Sequence, residues 1–384
     1  MKWETVEIGQ LGDVVTGNTP PRKNPELYGN FIPFIKPTDM EIDRRYTPNP
    51  EECYSELGFE KYRKSLIPKG ATCVVTIGSI GKKMTQAFSD CFINQAVNAV
   101  IPNKEYDNDF VFYLLKNNLD KVKGLDSGTS SGRENVSKSS FSSIEVKVVK
   151  HLPTQRKIAS ILSAYDDLIE NNLKRIKLLE EKALLRYKGI VRNEKLESVK
   201  LKDVAVVNQS SIKSNSDIEK LLYVDIASVS TGSIDNKTEY ELKEAPGRAK
   251  RILKHQDIIW SCVRPNRKSY SFVWRPEENL IGSTGFAVIS AKTIPATFLY
   301  QLITTNDFVS YLENHAKGAT YPAVTASDFE DATLLICSKN IMDEYHEEVN
   351  QLFELKYVLQ KQNSKLREAR DILLPKLMNG QIEV

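Results

Sequence analysis

The sequence predicts a mixed α/β (α+β) protein with two globular domains separated by two long helices that form an antiparallel coiled coil, the whole arranged as a pseudo-twofold internal repeat. Three observations carry this: self-similarity at a fixed offset, two long stretches of helical period, and short β-branched segments bounded by turn residues. The offset is 188 residues, from Phe110-Val111-Phe112-Tyr113-Leu114-Leu115 to Phe298-Leu299-Tyr300-Gln301-Leu302-Ile303, and fixed-period similarity marks duplicated units. The same offset pairs Val136-Ser137-Lys138-Ser139-Ser140-Phe141 with Val324-Thr325-Ala326-Ser327-Asp328-Phe329, after Gly-containing loops at Gly128-Thr129 and Gly318-Ala319-Thr320. The turn and strand Ile67 to Thr76 has its counterpart in Leu253 to Ser261.

The first long stretch, Thr154 to Ile190, contains no proline and carries Ile158, Ile161, Leu162, Tyr165, Leu168, Ile169, Leu173, Ile176, Leu179 and Ala183, where spacings of three and four dominate, the period of an amphipathic helix. The second, Asp343 to Leu374, repeats the pattern at Val349, Leu352, Leu355, Leu359, Leu366, Ala369 and Leu373 and is expected to stop at Pro375 and Gly380. A helix of about 37 residues is about 55 Å long, too long for one small domain to cover. Two such helices most simply bury their stripes against each other, antiparallel because roughly 150 residues of globular chain separate them. Asn172 and Asn363 fall within the stripes. A solvated Asn is the ordinary reading, and an Asn in the seam that fixes register is the other. The expected boundaries are a first globular domain over 1–150, a central helix over 151–192, a second globular domain over 193–340 and a terminal helix over 341–384.

Within the globular parts, strands are expected at Phe31 to Ile35, Thr72 to Ile77, Val97 to Ile101, Ile144 to Val149, Tyr223 to Ile226, Ile258 to Ser261, Phe286 to Ser290 and Thr333 to Cys337, with short helices over Asp109 to Asn118 and Ala296 to Asn306.

The chain has 384 residues, 53 Lys+Arg against 50 Asp+Glu, and five cysteines. That length suits two or three domains, and no apolar run approaches the ~18 residues of a membrane span. The start Met1-Lys2-Trp3-Glu4-Thr5 lacks an apolar signal core, and Cys53, Cys73, Cys91, Cys262 and Cys337 are odd in number and scattered. A reduced, cytoplasmic protein is expected. A net charge of +3 gives no global warrant for binding nucleic acid, so any such role must rest on local charge.

Enzyme signatures fail on inspection. Asn18-Thr19-Pro20-Pro21 has the residues of a base-flipping methyltransferase loop in the wrong order, with Arg22 where an aromatic would stack. Gly78-Ser79-Ile80-Gly81-Lys82 lacks the spacing of a phosphate-binding loop, and Lys83 follows where Ser or Thr is required. His346-Glu347-Glu348-Val349-Asn350 lacks a second metal-binding His. No dinucleotide fingerprint or serine-nucleophile elbow occurs. A non-enzyme is expected, with no metal and no cofactor of its own.

Recognition residues are better represented. From Lys243 to Arg275 the chain carries nine Lys or Arg against Glu244 and Asp257, a local charge of +7. Trp260, Tyr270, Phe272 and Trp274 are interleaved, and Arg264-Pro265-Asn266-Arg267-Lys268 follows a strand. Arg can pair bidentately with guanine, while Lys and hydroxyls mainly hold phosphates. The plainer reading is a solvated run whose aromatics lie in the core. The equivalent place in the first copy, Thr76 to Lys83, offers glycines for close approach to a duplex and donors at Ser79, Lys82 and Lys83.

The residues also carry a family resemblance. Gly17-Asn18-Thr19-Pro20-Pro21-Arg22 through Tyr28-Gly29-Asn30, then Ile32 to Asp39, Thr76 to Gly81 and Ile93-Asn94-Gln95-Ala96, resembles a target recognition domain. Leu152-Pro153-Thr154-Gln155-Arg156-Lys157-Ile158-Ala159 with Leu168-Ile169-Glu170-Asn171-Asn172 resembles a central spacer helix, and Leu366 to Gly380 a terminal one. Together they are similar, across the whole chain, to the specificity subunit of type I restriction-modification systems. The second copy departs at its opening, with Asn208-Gln209-Ser210-Ser211 in place of Thr-Pro-Pro.

The resemblance implies two target recognition domains that each read half of a bipartite, asymmetric site on double-stranded DNA, with the helices as a ruler. At 3.4 Å per base pair, ~55 Å corresponds to roughly 16 base pairs. It further implies methyltransferase subunits carrying S-adenosylmethionine and restriction-translocase subunits as partners, and no membrane. The DNA-contact candidates in the first copy are Lys36, Thr38, Thr76, Gly78, Ser79, Lys82, Asn94, Gln95 and Thr129. In the second they are Ser261, Arg264, Arg267, Lys268, Thr284, Thr320 and Tyr321. A stand-alone sequence-specific DNA-binding protein, and a helical scaffold with ligand-free α/β domains, stay open as readings of the residues.

Overall fold

The structure, a computed structural model, describes residues 2–125, 134–212 and 219–384. The chain forms two compact units, Met1–Leu173 with Lys361–Val384, and Lys174–Gln360.

The first unit contains strands β1 (Trp3–Glu7), β2 (Gly12–Thr16), β3 (Tyr28–Gly29), β4 (Ile32–Ile35), β5 (Glu52–Tyr54), β6 (Thr72–Val75), β7 (Met84–Gln86), β8 (Phe92–Ile93), β9 (Val97–Pro102) and β10 (Glu145–Val149). They form two four-stranded sheets, ordered β2-β9-β6-β7 and β3-β5-β4-β8, and a β1-β10 ribbon. β4 and β8 run parallel, Phe34 beside Phe92. Helices α1 (Glu56–Tyr62), α2 (Asn108–Lys116), α3 (Leu119–Gly124) and α4 (Lys138–Ser142) pack around them. Asp107 starts α2 by accepting the amides of Asp109 and Phe110, the usual service of an N-cap carboxylate. The apolar run Phe110 to Leu115 is entirely buried.

A helix α5 (Leu152–Asn193) follows, and the second unit continues with β11 (Glu197–Lys200), α6 (Leu201–Val204), β12 (Ala205–Val207), β13 (Lys220–Val224), β14 (Val229–Ser230), β15 (Ser233–Ile234), β16 (Thr238–Glu241), β17 (Ala249–Ile252), β18 (Ile258–Ser261), β19 (Tyr270–Phe272), β20 (Leu280–Ser283) and β21 (Phe286–Ala291). Then come α7 (Ala296–Leu302), α8 (Asn306–His315), α9 (Ala326–Glu330), β22 (Thr333–Ile336) and α10 (Lys339–Met378). The sheet orders β12-β21-β18-β19 and β11-β22 reproduce β2-β9-β6-β7 and β1-β10. β13 and β20 run parallel as β4 and β8 do. The duplication inferred from the 188-residue offset is thus present as topology.

One expected short helix, Ala296 to Asn306, is two. Ile303–Thr305 form a turn in which the buried Trp260 indole Nε1 donates to Ile303 O at 3.0 Å, and Thr305 caps the new helix by accepting from Phe308 N. The aromatics of the basic segment follow the plainer reading: Trp260, Tyr270 and Phe272 are buried in the core of the second unit, and Trp274 packs against it while donating to Glu354. Its lysines and arginines, by contrast, are at the surface or half-buried.

Both long helices contribute to both units. In the first unit, residues 152–173 and 361–378 run antiparallel, with Asp166 meeting Arg370 and Asn172 meeting Asn363. In the second, 174–193 and 339–360 do the same, with Glu180 bonded to Lys356 and Arg186 to Glu348. Helix α10 does not stop at Pro375. Pro375 and Asp371, four residues back, lie on the exposed side, so the bond that proline removes is lost on the solvent face, while Leu374, Leu377 and Met378 are buried and draw the helix onward. The stop is Gly380, whose φ of +70° suits a helix end; a Cβ there would lie 2.3 Å from Trp3 Nε1.

The asparagines are in the seam. Asn172 and Asn363 are 3% and 2% exposed, and Asn172 Nδ2 donates to Asn363 Oδ1 at 2.9 Å. A bonded polar pair among leucines favours one register over its neighbours. Asn172→Ala leaves a buried amide oxygen unpaired and is expected to cost about 1–3 kcal/mol, measured by urea unfolding. An unchanged midpoint would show that this seam is wet.

Candidate nucleic-acid interface

In the first unit, the loops that leave the C-terminal ends of β4, β6 and β8 converge. Asn94 N donates to Ile35 O at 3.0 Å, joining the β4 and β8 exits, and Lys83 Nζ donates to Pro37 O at 3.0 Å, joining the β6 loop to the β4 loop. The segment 17–22 lies across them: Gly17 N and Asn18 N donate to Val97 O and Ile93 O. A Cβ on Gly17 would sit 2.1 Å from Ile93 O, so only glycine allows this approach. Thr19 Oγ1 donates to Gln95 Oε1 and accepts from Asn94 Nδ2.

Beside this cluster, Glu52 binds Arg22 at 2.8 Å and Lys36 at 3.4 Å, and Lys36 also reaches Glu51 at 2.8 Å. The hydrogen bond from Arg22, aided by Lys36, holds the Glu52 carboxyl below the usual carboxylate range. Arg22 also lies over the Tyr28 ring, whose hydroxyl donates to Pro20 O.

The structure brings together Lys36, Thr38, Gly78, Ser79, Lys82, Asn94 and Gln95 on these neighbouring loops, with Thr38, Gly78, Ser79, Lys82 and Gln95 exposed. Thr76 is enclosed at 2% exposure, its hydroxyl accepting from Asn98 Nδ2, so it supports the loop from beneath. Thr129 lies outside the described residues. Sequence reasoning did not select Thr19, Arg22 or Glu52. Gly17 was the available signal for the first two; an acidic residue 30 positions from its arginine left none.

The second unit builds the same frame. Cys262 N donates to Gly285 O at 2.8 Å, tying the β18 exit to the β20–β21 turn. Thr284 is exposed in that turn and its amide bonds Arg248 O. Arg264 has left-handed backbone, φ +51°; its guanidinium lies 4.5 Å from the Tyr321 ring centre and donates to Thr320 O at 3.2 Å. Tyr321 is 65% exposed. Arg267 is exposed and its guanidinium has no partner among the described residues. Lys268 Nζ donates to Asn306 Oδ1 at 3.0 Å. Ser261 is fully buried, its hydroxyl donating to Val263 O and accepting from Val263 N, so it shapes the turn from inside.

Each unit thus offers a rigid mixed sheet whose strand-end loops carry cations, amides and hydroxyls, the donor chemistry that contacts phosphates and base edges. This fold and loop chemistry make a surface suited to contact with a nucleic-acid duplex. Residues 1–181 match the family described as type I restriction modification DNA specificity domain. The whole chain is similar to the type I restriction enzyme MjaIX specificity subunit of Methanocaldococcus jannaschii, 26% identical over 409 aligned positions that cover 100% of this chain and 94% of that protein. It also resembles the HindI specificity subunit of Haemophilus influenzae, 30% identical over 189 residues, 48% of this chain and 40% of the relative. In fold it matches the crystal structure of the S subunit of a type I restriction-modification system from M. genitalium, with a TM-score of 0.58 at 17% identity, covering 98% of this chain and 96% of that one. Over its whole length the chain is thus similar to a specificity subunit of a type I restriction-modification system, and its first 181 residues match the DNA specificity domain of that family.

Proposed function

We propose that each unit reads one half of a bipartite, asymmetric site on double-stranded DNA, and that the chain seats methyltransferase and restriction subunits on that site without chemistry of its own. The methyltransferase subunits bring S-adenosylmethionine, and the assembly works in the cytoplasm, in keeping with five free cysteines. The observation that carries the reading is one loop frame built twice with unlike side chains, Gly78-Ser79-Ile80 in one unit and Arg264-Pro265-Asn266 in the other. Unlike side chains on like frames read unlike half-sites. Modified-base mapping of a host that expresses the chain with its methyltransferase is expected to show a split motif with two different halves. A palindromic motif, or none, would overturn it.

The Glu52 cluster gives a second check. Glu52→Gln releases Arg22 and loosens Lys36, so affinity for any duplex is expected to rise and log K to fall more steeply with log salt, by ~0.9 for each added phosphate contact. Acid should act in the same sense. The Glu52 carboxyl is held below its ordinary value of 4.5, so the pairing is intact above that pH and is lost as pH falls through the lowered value.

A further inference from the structure

The loops after β6 and β18 are held by backbone bonds in matching places. Thr76 N donates to Ala96 O at 2.9 Å, and Cys262 N to Gly285 O at 2.8 Å. Val136 N donates to Thr76 O at 2.9 Å, and Val324 N to Cys262 O at 2.9 Å. Two residues further, Gly78 N donates to Glu134 O at 3.0 Å, and Arg264 N to Pro322 O at 2.7 Å. Isolated bridges repeat the match, Ile77 with Asn135 and Val263 with Ala323. Gly78 and Arg264 therefore hold one structural position, and both have positive φ, +88° and +51°.

What stands at that position differs sharply. Among the described residues, a Cβ on Gly78 would meet nothing within 4 Å, so none of them fills the space there. In the second, the left-handed backbone suits glycine best, yet arginine occupies it, so a demand on the side chain outweighs the backbone preference. That side chain is prepared: Tyr321 backs one face of the guanidinium and Thr320 O takes one donor. No carboxylate pairs with it among the described residues, so its other donors stay available.

We propose that this shared position determines specificity in both units. Arg264 reads a guanine through its bidentate fork in the half-site of the second unit, Gly78 leaves the corresponding base pair of the other half-site unread, and the unpaired Arg267 holds phosphate. This rests on the DNA-reading function proposed above and adds which position discriminates.

The test is selection by the full-length chain from a pool of randomised duplexes. The natural chain is expected to fix a guanine in one half-site, and Arg264→Gly, whose backbone preference suits the loop, to lose that preference alone. The lost discrimination is about 5- to 150-fold at one base pair. Arg264→Lys, which keeps the charge but not the fork, is expected to lose the preference while retaining affinity. Gly78→Arg is expected to add a guanine preference in the other half-site. The proposal is overturned if Arg264→Gly weakens every duplex equally, the signature of a phosphate contact, or if Gly78→Arg folds, as its melting would report, and adds no preference. If the natural chain selects no sequence, the DNA-reading function itself fails. That outcome is separate, because it appears before any substitution.

Discussion

Arg370→Ala is expected to destabilise the first unit by about 3–5 kcal/mol, the cost of orphaning one partner of a buried ion pair. Arg370, on α10, is fully buried, and its guanidinium bonds Asp166 on α5, itself 2% exposed. The other Asp166 oxygen accepts the Tyr113 hydroxyl from α2 at 2.5 Å, so three elements of the unit meet on one carboxylate. The alanine variant leaves that carboxylate with the Tyr113 hydroxyl and without its ion-pair partner. Urea denaturation should show a lower midpoint with the slope preserved. The triple variant Arg370→Met, Asp166→Leu, Tyr113→Phe, which also removes the hydroxyl that Asp166 accepts, should recover most of the loss, because a buried polar cluster replaced by apolar groups of similar size is often neutral. A single-variant change below about 1 kcal/mol would mean that water already reaches this carboxylate.

Trp260→Ala is expected to cost the second unit a similar ~3–5 kcal/mol, the range for emptying a large aromatic from a core. Trp260 is fully buried, packs against Tyr270 with ring centres 4.8 Å apart, and bonds the carbonyl that breaks α7 from α8. Trp260→Phe fills most of the space but strands Ile303 O, and about 1–3 kcal/mol is expected from that alone. Thermal unfolding of the two variants separates packing from the hydrogen bond. If Trp260→Phe melts like the natural chain, the indole bond contributes nothing; if the two variants melt alike, the bond carries the whole loss and the packing none.

The sequence showed the repeat and the two long helices because each rests on spacing, and spacing survives divergence. Ile258–Ser261 was legible to the residue, being a β-branched and aromatic run between turns. Arg370 and Asp166 were not legible as core: in a helical pattern, a charged residue counts toward the solvated face, and only the partner across the seam reveals otherwise. Pro375 was read as a stop because the rule concerns a backbone bond, and which side of the helix loses that bond depends on tertiary packing. The equivalence of Gly78 and Arg264 left no trace in residue type. The bonds that define it join main-chain atoms, so nothing in the side chains need be shared. Ser261 and Thr76 were chosen for their hydroxyls, and sequence could not show that both hydroxyls are already engaged within the fold.

The main-chain origin of those loop bonds has an evolutionary corollary. A loop secured by amide and carbonyl groups can exchange its side chains without loosening its anchorage, so mutations at its tip are filtered by what they bind rather than by whether the chain still folds. The two copies have drifted to glycine and arginine at one site while keeping the same anchors. New preferences can therefore be sampled at little cost in stability, a favourable substrate for selection when the target must change often.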